Sequence, residues 1–492
     1  MRRRDVLATL VAGAAGACLP RPSGRRPRCD LVQSGDAAGG EALVWGRADR
    51  PGQMLIEWAT RARPRDWHRV TGPWVDGSTD LTGRAWIRDL PRGQTIVYRV
   101  RFADDAGVGE PTPGSLRIPG PDRDLVVLWS GDVCGQGWGI DPARGGLRAF
   151  AALAQREPHL FIHSGDAIYA DNGIPAELPV AGGPVWRNVV TPAKSRPAES
   201  IDDFRGNYAY NFLDRHYRAF TSQVAMIAQW DDHETRNNWY PGEIFDADYR
   251  DKRAEVVAAR ARRAFQEWMP VPDGPIHRQV TVDPDLDVFV LDLRSFRDPN
   301  PVAAGDAPAA GLGAAQCAWL GKALAGSKAR WKIVACDQPI GLIIPSRDVF
   351  QEGIANGRAG APGGREHELA ELLRFVRSAD VRNVVWVTAD VHYAAAHRYD
   401  PSRATLGDFA PFWELVAGPL HAGSFGPNPL DPTFGPEVVF QRPPPPPLVG
   451  AGPWAGYQSF GALRVDRKSG ALIASLHDDA GSQLWDVEIA PA

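Results

Sequence analysis

Two rhythms of apolar and polar residues divide the chain. Between residues 30 and 120, short apolar runs alternate with Gly, Pro and Asp turns: EALVWGRA, MLIEWAT, AWIRDL and TIVYRVRFAD. Runs of this length and spacing predict a small β-sandwich. LRIPGPDRD then breaks the pattern and places a domain boundary near Gly120. From Leu125 the rhythm becomes strand, helix, strand. LVVLWSGD is a continuous apolar run. GGLRAFAALAQREP sets Leu147, Phe150, Ala151 and Leu153 on one helical face, with Pro158 just beyond. LFIHSGD is the next strand, and similar runs recur at VAMIAQWDD, LDVFVLDLRS, WKIVACDQP and NVVWVTADVH.

Helices are predicted between several of these strands, over 251–268, 312–326 and 364–378. Strands that are apolar throughout are buried on both faces, so helices must cover them. The expected class is α/β, a β-core flanked by helices. The C-terminal part returns to β structure, with a hairpin loop over Asp466–Gly470. RPPPPPL at 442–448 reads as a stiff surface loop between β segments. There is no internal repeat.

Length and composition change this picture little. The chain has 492 residues, 44% of them hydrophobic, enough for roughly two to four domains. Its net charge of -4 and pI near 6.3 carry no nucleic-acid-binding footprint and no pull toward an anionic membrane. The N-terminus is more informative. Arg2, Arg3 and Arg4 precede a Gly/Ala-rich apolar stretch too short to span a bilayer. It reads as a signal peptide, and RRDVL resembles a twin-arginine export signal. Residues 1–28 are then signal and basic linker, the export machinery is a partner, and the mature chain has no transmembrane helix. That places it in the periplasm or outside the cell, with Cys18 a candidate lipoprotein anchor. Cys29, Cys134, Cys317 and Cys336 are unevenly spaced and form no Cys-x-x-Cys pair, which argues against a disulfide framework or a zinc ribbon.

The chemistry sits at strand ends. In α/β folds, ligands bind outside the carboxyl ends of the strands. Asp132 and Cys134 follow the first such strand, Asp166 and Tyr169 the second, and Asp231, Asp232, His233 and Glu234 the third. Asp337 and Gln338 end a later strand; Asp390 and His392 end the last. One such aspartate could simply cap a helix. Five ends on one edge concentrate negative charge, and carboxylates so placed raise one another's pKa unless cations offset them. Carboxylates select hard ions, and imidazole suits iron, zinc and manganese. Tyr169 has two readings: a packed aromatic, or a ligand to an ion polarising enough to remove a proton of pKa about 10. Ferric iron is such an ion.

Gly165-Asp166-Ala-Ile-Tyr169, Asp232-His233-Glu234 and Ala389-Asp390-Val391-His392 resemble the metal blocks of dinuclear metallophosphoesterases. With WSGDVCGQGWGIDP, FRGNYAYNFLD, AQWDDHETRNNWYPGE and VFVLDLRSFRDPN, the whole pattern is similar to the alkaline phosphatase D (PhoD-like) family. The resemblance runs from about residue 30 almost to the C-terminus. It implies a four-layer α/β/β/α sandwich over 121–492, preceded by a small fibronectin type III-like β-sandwich over 29–120. It also implies a dinuclear or larger centre, Fe3+ with Ca2+, or Zn2+ or Mn2+ as in related enzymes.

Carried over by position, the resemblance makes Asp166 a bridge between two metals. Asp132, Tyr169 and His392 would complete the ferric side, and Asp232 and Asp390 would hold the second ion. Either Asp132 or Cys134 ends the first strand as a ligand; the alternative for Cys134 is a buried apolar role. The expected activity is hydrolysis of phosphate mono- or diesters by attack of a metal-held hydroxide on phosphorus. His233 would act on the leaving group or orient Asp232. Arg294 would clamp phosphate or pair with Asp292 or Asp298. Trp138, Asn238 and Trp239 either pack or line the cleft, while His159, His163 and His397 are structural. Two rivals remain: specialisation for phospholipid or teichoic-acid diesters, and a non-catalytic protein whose β-sandwich binds a surface polymer.

Overall fold

The computed structural model describes residues 24–492 apart from 247, 248, 302, 304 and 346–349. Residues 1–23, where the export signal and Cys18 were expected, lie outside the described residues. Among those described, no helix is long and apolar enough to cross a membrane.

The apolar runs form two large sheets. Leu125–Ser130, Leu160–Ser164 and Ala225–Gln229 are the parallel centre of a nine-stranded sheet. Leu286–Val290, Trp331–Ala335, Val384–Thr388 and Phe412–Val416 are the parallel centre of a seven-stranded one. Successive side chains alternate faces. Val127, Ile162 and Ile227 meet Val288, Ile333 and Val385 in a core between the sheets. Leu128, Phe161 and Met226 point the other way, under Phe150, Phe204 and Phe265 of the covering helices. Phe289, Val334 and Trp386 do the same beneath Leu320, Leu369 and Leu373. The result is the expected four-layer α/β/β/α sandwich.

The predicted helices are Ala254–Trp268, Ala314–Gly326 and Glu366–Ser378. In the short helix Ala149–Gln155, Phe150 and Leu153 are buried as expected, but Ala152 replaces Ala151 on the inner face. The hairpin at 466–470 joins the antiparallel strands Ser459–Val465 and Leu472–Asp478.

The N-terminal β-sandwich is not separate from the large sheet. Its strands Cys29–Ala38, Glu41–Ala48 and Thr82–Ile87 extend the nine-stranded sheet, with Gly35 paired in parallel to Met226. The facing five-stranded sheet, which includes Gly52–Thr60 and Thr95–Asp104, packs Met54, Ile56 and Val100 onto Val32 and Val44. Gly35 makes this junction feasible. A Cβ there would lie 1.8 Å from the Pro270 carbonyl oxygen and 2.9 Å from that of Met226. Both obstacles are backbone. Gly35→Ala is expected to cost about 1–3 kcal/mol by overpacking, read as a lower urea midpoint; an unchanged midpoint would show that the junction yields freely.

Candidate metal centre

Beyond Leu125–Ser130, Leu160–Ser164, Ala225–Gln229 and Val384–Thr388 the chain enters backbone-strained turns. Asp132, Cys134, Gln136, Asp166, Asn238, Asp390 and His392 all have positive φ, half of the fourteen described non-glycine residues that do. Such conformations cost free energy and persist where surrounding structure enforces them, commonly at functional sites. Gly165 lets two of these turns approach, since a Cβ there would lie 2.5 Å from the Asp231 Cβ. Glu234 ties them together: its carboxylate accepts the N–H groups of Asp166, Ala167 and Asp231 at 3.1, 2.7 and 2.8 Å.

Three overlapping groups of potential ligand atoms result: Asp132, Asp166 and His392; Asp166, Asp232 and His233; Asp231, Asp232 and Asp390. Within each group the atoms lie within 4.8 Å of one another. In the first, Tyr169 Oη is 2.9 Å from His392 Nε2 and 3.3 Å from Asp132 Oδ1. His392 Nδ1 faces the Gly423 carbonyl at 2.5 Å, so it donates there and leaves Nε2 as the inward lone pair.

The electrostatics call for cations. Burial, reinforced by Asp232, Asp231, Glu234 and Asp132, pushes the Asp166 carboxyl well above its ordinary range. Burial, with Asp166 and Asp132, raises Tyr169. Burial, with Glu352 and Asp231, raises Asp390. Asp232 goes the other way: burial opposes its charge, but Arg294 and His233 hold it low. Asp132 Oδ2 and Asp232 Oδ1 are buried without hydrogen-bond partners. Orphaned carboxylate oxygens of this kind are what a hard cation satisfies, so the residues present fit a metal centre.

Two expectations are corrected. Cys134 belongs to none of the three groups. Its thiol is buried among the apolar side chains under the helices, which pushes its pKa up to about 12. Asp132 is the residue of that strand end that faces the cluster. Arg294 is fully buried and so cannot be an open phosphate clamp. Its Nε meets Asp231 at 2.5 Å and its Nη1 meets Glu352 at 2.9 Å, rather than Asp292 or Asp298. Its Nη2 stands 3.7 Å from Asp232 and 3.5 Å from Asp390. It is an internal counter-ion beneath the acidic cluster.

The cleft above the cluster has a volume of about 710 Å³ and is lined by Asp166, Asp232, His233, Asn238, Glu352, Asp390 and His392, among others. Trp138 and Trp239 instead pack edge-on against Trp186 and Trp230. His159, His163 and His397 stay outside all three groups.

Sequence reasoning missed Asp171. Its carboxylate lies 2.7 Å from His233 Nδ1 and accepts the Asn237 N–H at 2.8 Å. Nδ1 therefore donates to Asp171, and Nε2 is left 3.9 Å from Asp232. Burial disfavours the imidazolium, but Asp171 and Asp232 outweigh it and lift the His233 pKa to about 9. The available signal was the second aspartate of the GDAIYAD block.

Comparison with known proteins identifies the fold and the family. The chain is 26% identical over 268 residues to alkaline phosphatase D of Bacillus subtilis, covering 50% of this chain and 43% of that protein, so the match spans less than half of the relative. A solved structure of PhoD superposes with a TM-score of 0.69 at 17% identity, covering 94% of this chain and 92% of the other. A purple acid phosphatase from yellow lupin (Lupinus luteus) seeds superposes at 0.59 and 13%, covering 94% and 74%. At such identities these two show a shared fold. The PhoD-like phosphatase N-terminal domain model matches residues 14–118. With the PhoD-like phosphatase model itself matching residues 126–476, the chain belongs to the PhoD-like phosphatase family.

Proposed function

We propose that the protein is an exported, metal-dependent phosphoesterase that hydrolyses phosphate mono- or diesters. One observation carries the reading: Asp166 and Asp232 each belong to two of three overlapping ligand groups on the floor of a single cleft. In this reading Asp132, Tyr169 and His392, with Asp166, hold Fe3+. Asp232 and Asp390, with Asp166, hold a harder divalent ion, Ca2+ before Zn2+ or Mn2+. Cations there would offset charge on the phosphate oxygens and supply a hydroxide nucleophile near neutral pH. The chain's own residues do the rest. His233 presents Nε2 to the cleft, where a proton can pass to the departing alkoxide, and Asp171 fixes that tautomer. Arg294 limits repulsion among Asp231, Asp232 and Asp390.

The same reading keeps residues 1–28 as twin-arginine signal and linker, 29–120 as the N-terminal β-sandwich and 121–492 as the catalytic domain. The mature protein would act in the periplasm or outside the cell, with Cys18 the candidate for lipid attachment. The purified full chain should turn over 4-nitrophenyl phosphate or bis(4-nitrophenyl) phosphate, and mass spectrometry should find metal. Tyr169 ligation to iron would add a visible tyrosinate-to-iron absorption band. A metal-loaded chain inert toward both esters would refute the reading and favour the polymer-binding rival.

Asp171 gives a sharper test. Removing a carboxylate that orients a neighbouring active-site group typically costs about 10–100-fold. Asp171→Asn should therefore lower kcat by about that factor, and more for alkyl than for nitrophenyl esters, because only a poor leaving group needs the proton. An equal loss on both ester types would mean that Asp171 does not act through His233.

A further inference from the structure

The cleft has two chemically distinct walls. On the His392 side, three separate chain segments are stitched into one surface. The Ile343 N–H donates to the Pro429 carbonyl at 2.9 Å, and Asn428 Nδ2 returns to the Ile343 carbonyl at 3.0 Å. Ser424 closes a second seam, its carbonyl accepting the Gly450 N–H at 2.7 Å and its N–H donating to the Ala451 carbonyl at 3.0 Å. The side chains this wall brings to the cleft include Ile344, Phe425, Pro427 and Val449. Phe425 lies against the His392 ring, 5.3 Å between centroids, so the wall is continuous with the metal-binding cluster. Val449 stands at the lip, 51% exposed.

The proline run explains how an apolar side chain is held there. A short helical turn, Pro446–Leu448, ends the run and delivers Val449. Proline fixes φ and adds stiffness, so the lip is a strut rather than a free loop. On the Asp232 side the wall is different. Asn172, Asn237 and Asn238 line it, and their carboxamides make no side-chain hydrogen bond among the described residues. The Asn237 and Asn238 backbones are fixed by Asp171 and Asp232.

An apolar wall beside a strongly polar floor gains by being covered. The molecule that reaches the floor is the substrate, and its non-reacting part must lie between the walls. We propose that Ile344, Phe425, Pro427 and Val449 form a subsite for an alkyl-bearing alcohol of the phosphate ester, so that the preferred substrates are esters with an apolar flank rather than bare polyols. The free carboxamides opposite bind the polar edge of the same group. The choice of phosphate rests on the phosphoesterase reading; the apolar selectivity rests on the wall.

The test uses the full metal-loaded chain and two diesters, ethyl and hexyl 4-nitrophenyl phosphate. Both release nitrophenolate, so only the retained alkyl group differs. Wild type should prefer the hexyl ester by about tenfold in kcat/KM, mainly through KM, consistent with a few partly buried methylenes. Val449→Asn should cut that preference to about threefold or less, and Val449→Leu should keep it. A flat dependence on chain length in wild type, or a preference that survives Val449→Asn, overturns the subsite. If neither diester is turned over, the phosphoesterase reading fails separately. Calorimetric binding of hexyl- against ethylphosphonate then decides the subsite, with equal affinities overturning it.

Discussion

Asp166→Asn is expected to lower kcat on 4-nitrophenyl phosphate by about 10³-fold or more while leaving the protein folded. The activity side follows from position. Asp166 is the residue common to the first two ligand groups, and its Oδ1 also accepts the His233 N–H at 3.1 Å. An amide in its place offers one neutral oxygen where the carboxylate offered two charged ones. Loss of such a site forfeits several kcal/mol of charge stabilisation, and each 1.4 kcal/mol is about a factor of ten in rate. The folding side follows from electrostatics. Without metal the ionised form of Asp166 is disfavoured by burial and by four neighbouring acids. An amide removes that repulsion, so metal-free Asp166→Asn should melt no lower than metal-free wild type. Bound metal per chain should fall together with activity. Turnover at the wild-type level would remove Asp166 from the mechanism; a collapse in melting temperature would show that its role is architectural.

The parts of this site that were legible in the sequence share a cause. Apolar runs ending in Gly-Asp, Asp-Asp-His or Ala-Asp-Val-His mark strand ends, and strand ends of parallel sheets converge whatever the details of packing. A β-core flanked by helices was legible too, since strands apolar on both faces require cover on both; the four layers were expected only because the family resemblance implies them. What escaped depends on tertiary packing. Arg294 follows an apolar strand much as an exposed clamp would, and only the opposing Asp231 and Glu352 show that it is buried. Cys134 is two residues from Asp132, yet the two side chains part company, one toward the acids and one into the helix-side core. The joining of the N-terminal strands to the large sheet rests on one parallel contact, Gly35 with Met226, for which no local pattern exists. The helix Ile201–Asn211 was the exception that could have been read: Ser200 and Asp203 form a capping box at its start.

Stripping the metal should abolish turnover and destabilise the fold, and the destabilisation should grow with pH. Asp166, Asp337 and Asp390 have folded pKa values raised well above the ordinary carboxyl range, and Glu234 is pushed up to about 8, each chiefly by burial. A group whose folded pKa exceeds its unfolded one stabilises fully below the unfolded value. That contribution is lost as pH rises through the folded value. For these acids the window opens near their ordinary pKa of about 4 and, for Glu234, closes near 8. His233, raised to about 9, acts in the same direction over a higher range. Asp232 and Asp171 act oppositely, since their lowered pKa values stabilise at higher pH, but they are outnumbered. Bound cations reverse the balance because they require the carboxylates ionised, so their affinity rises with pH. At a free-metal concentration a hundred times Kd, binding adds about 2.7 kcal/mol to stability. The gap in melting temperature between metal-loaded and stripped protein should therefore widen steadily from pH 5 to pH 8. Restoring the ions should close it and return activity together. A gap that stays constant, or one that narrows toward pH 8, would mean that these buried acids are not what the metal holds in place.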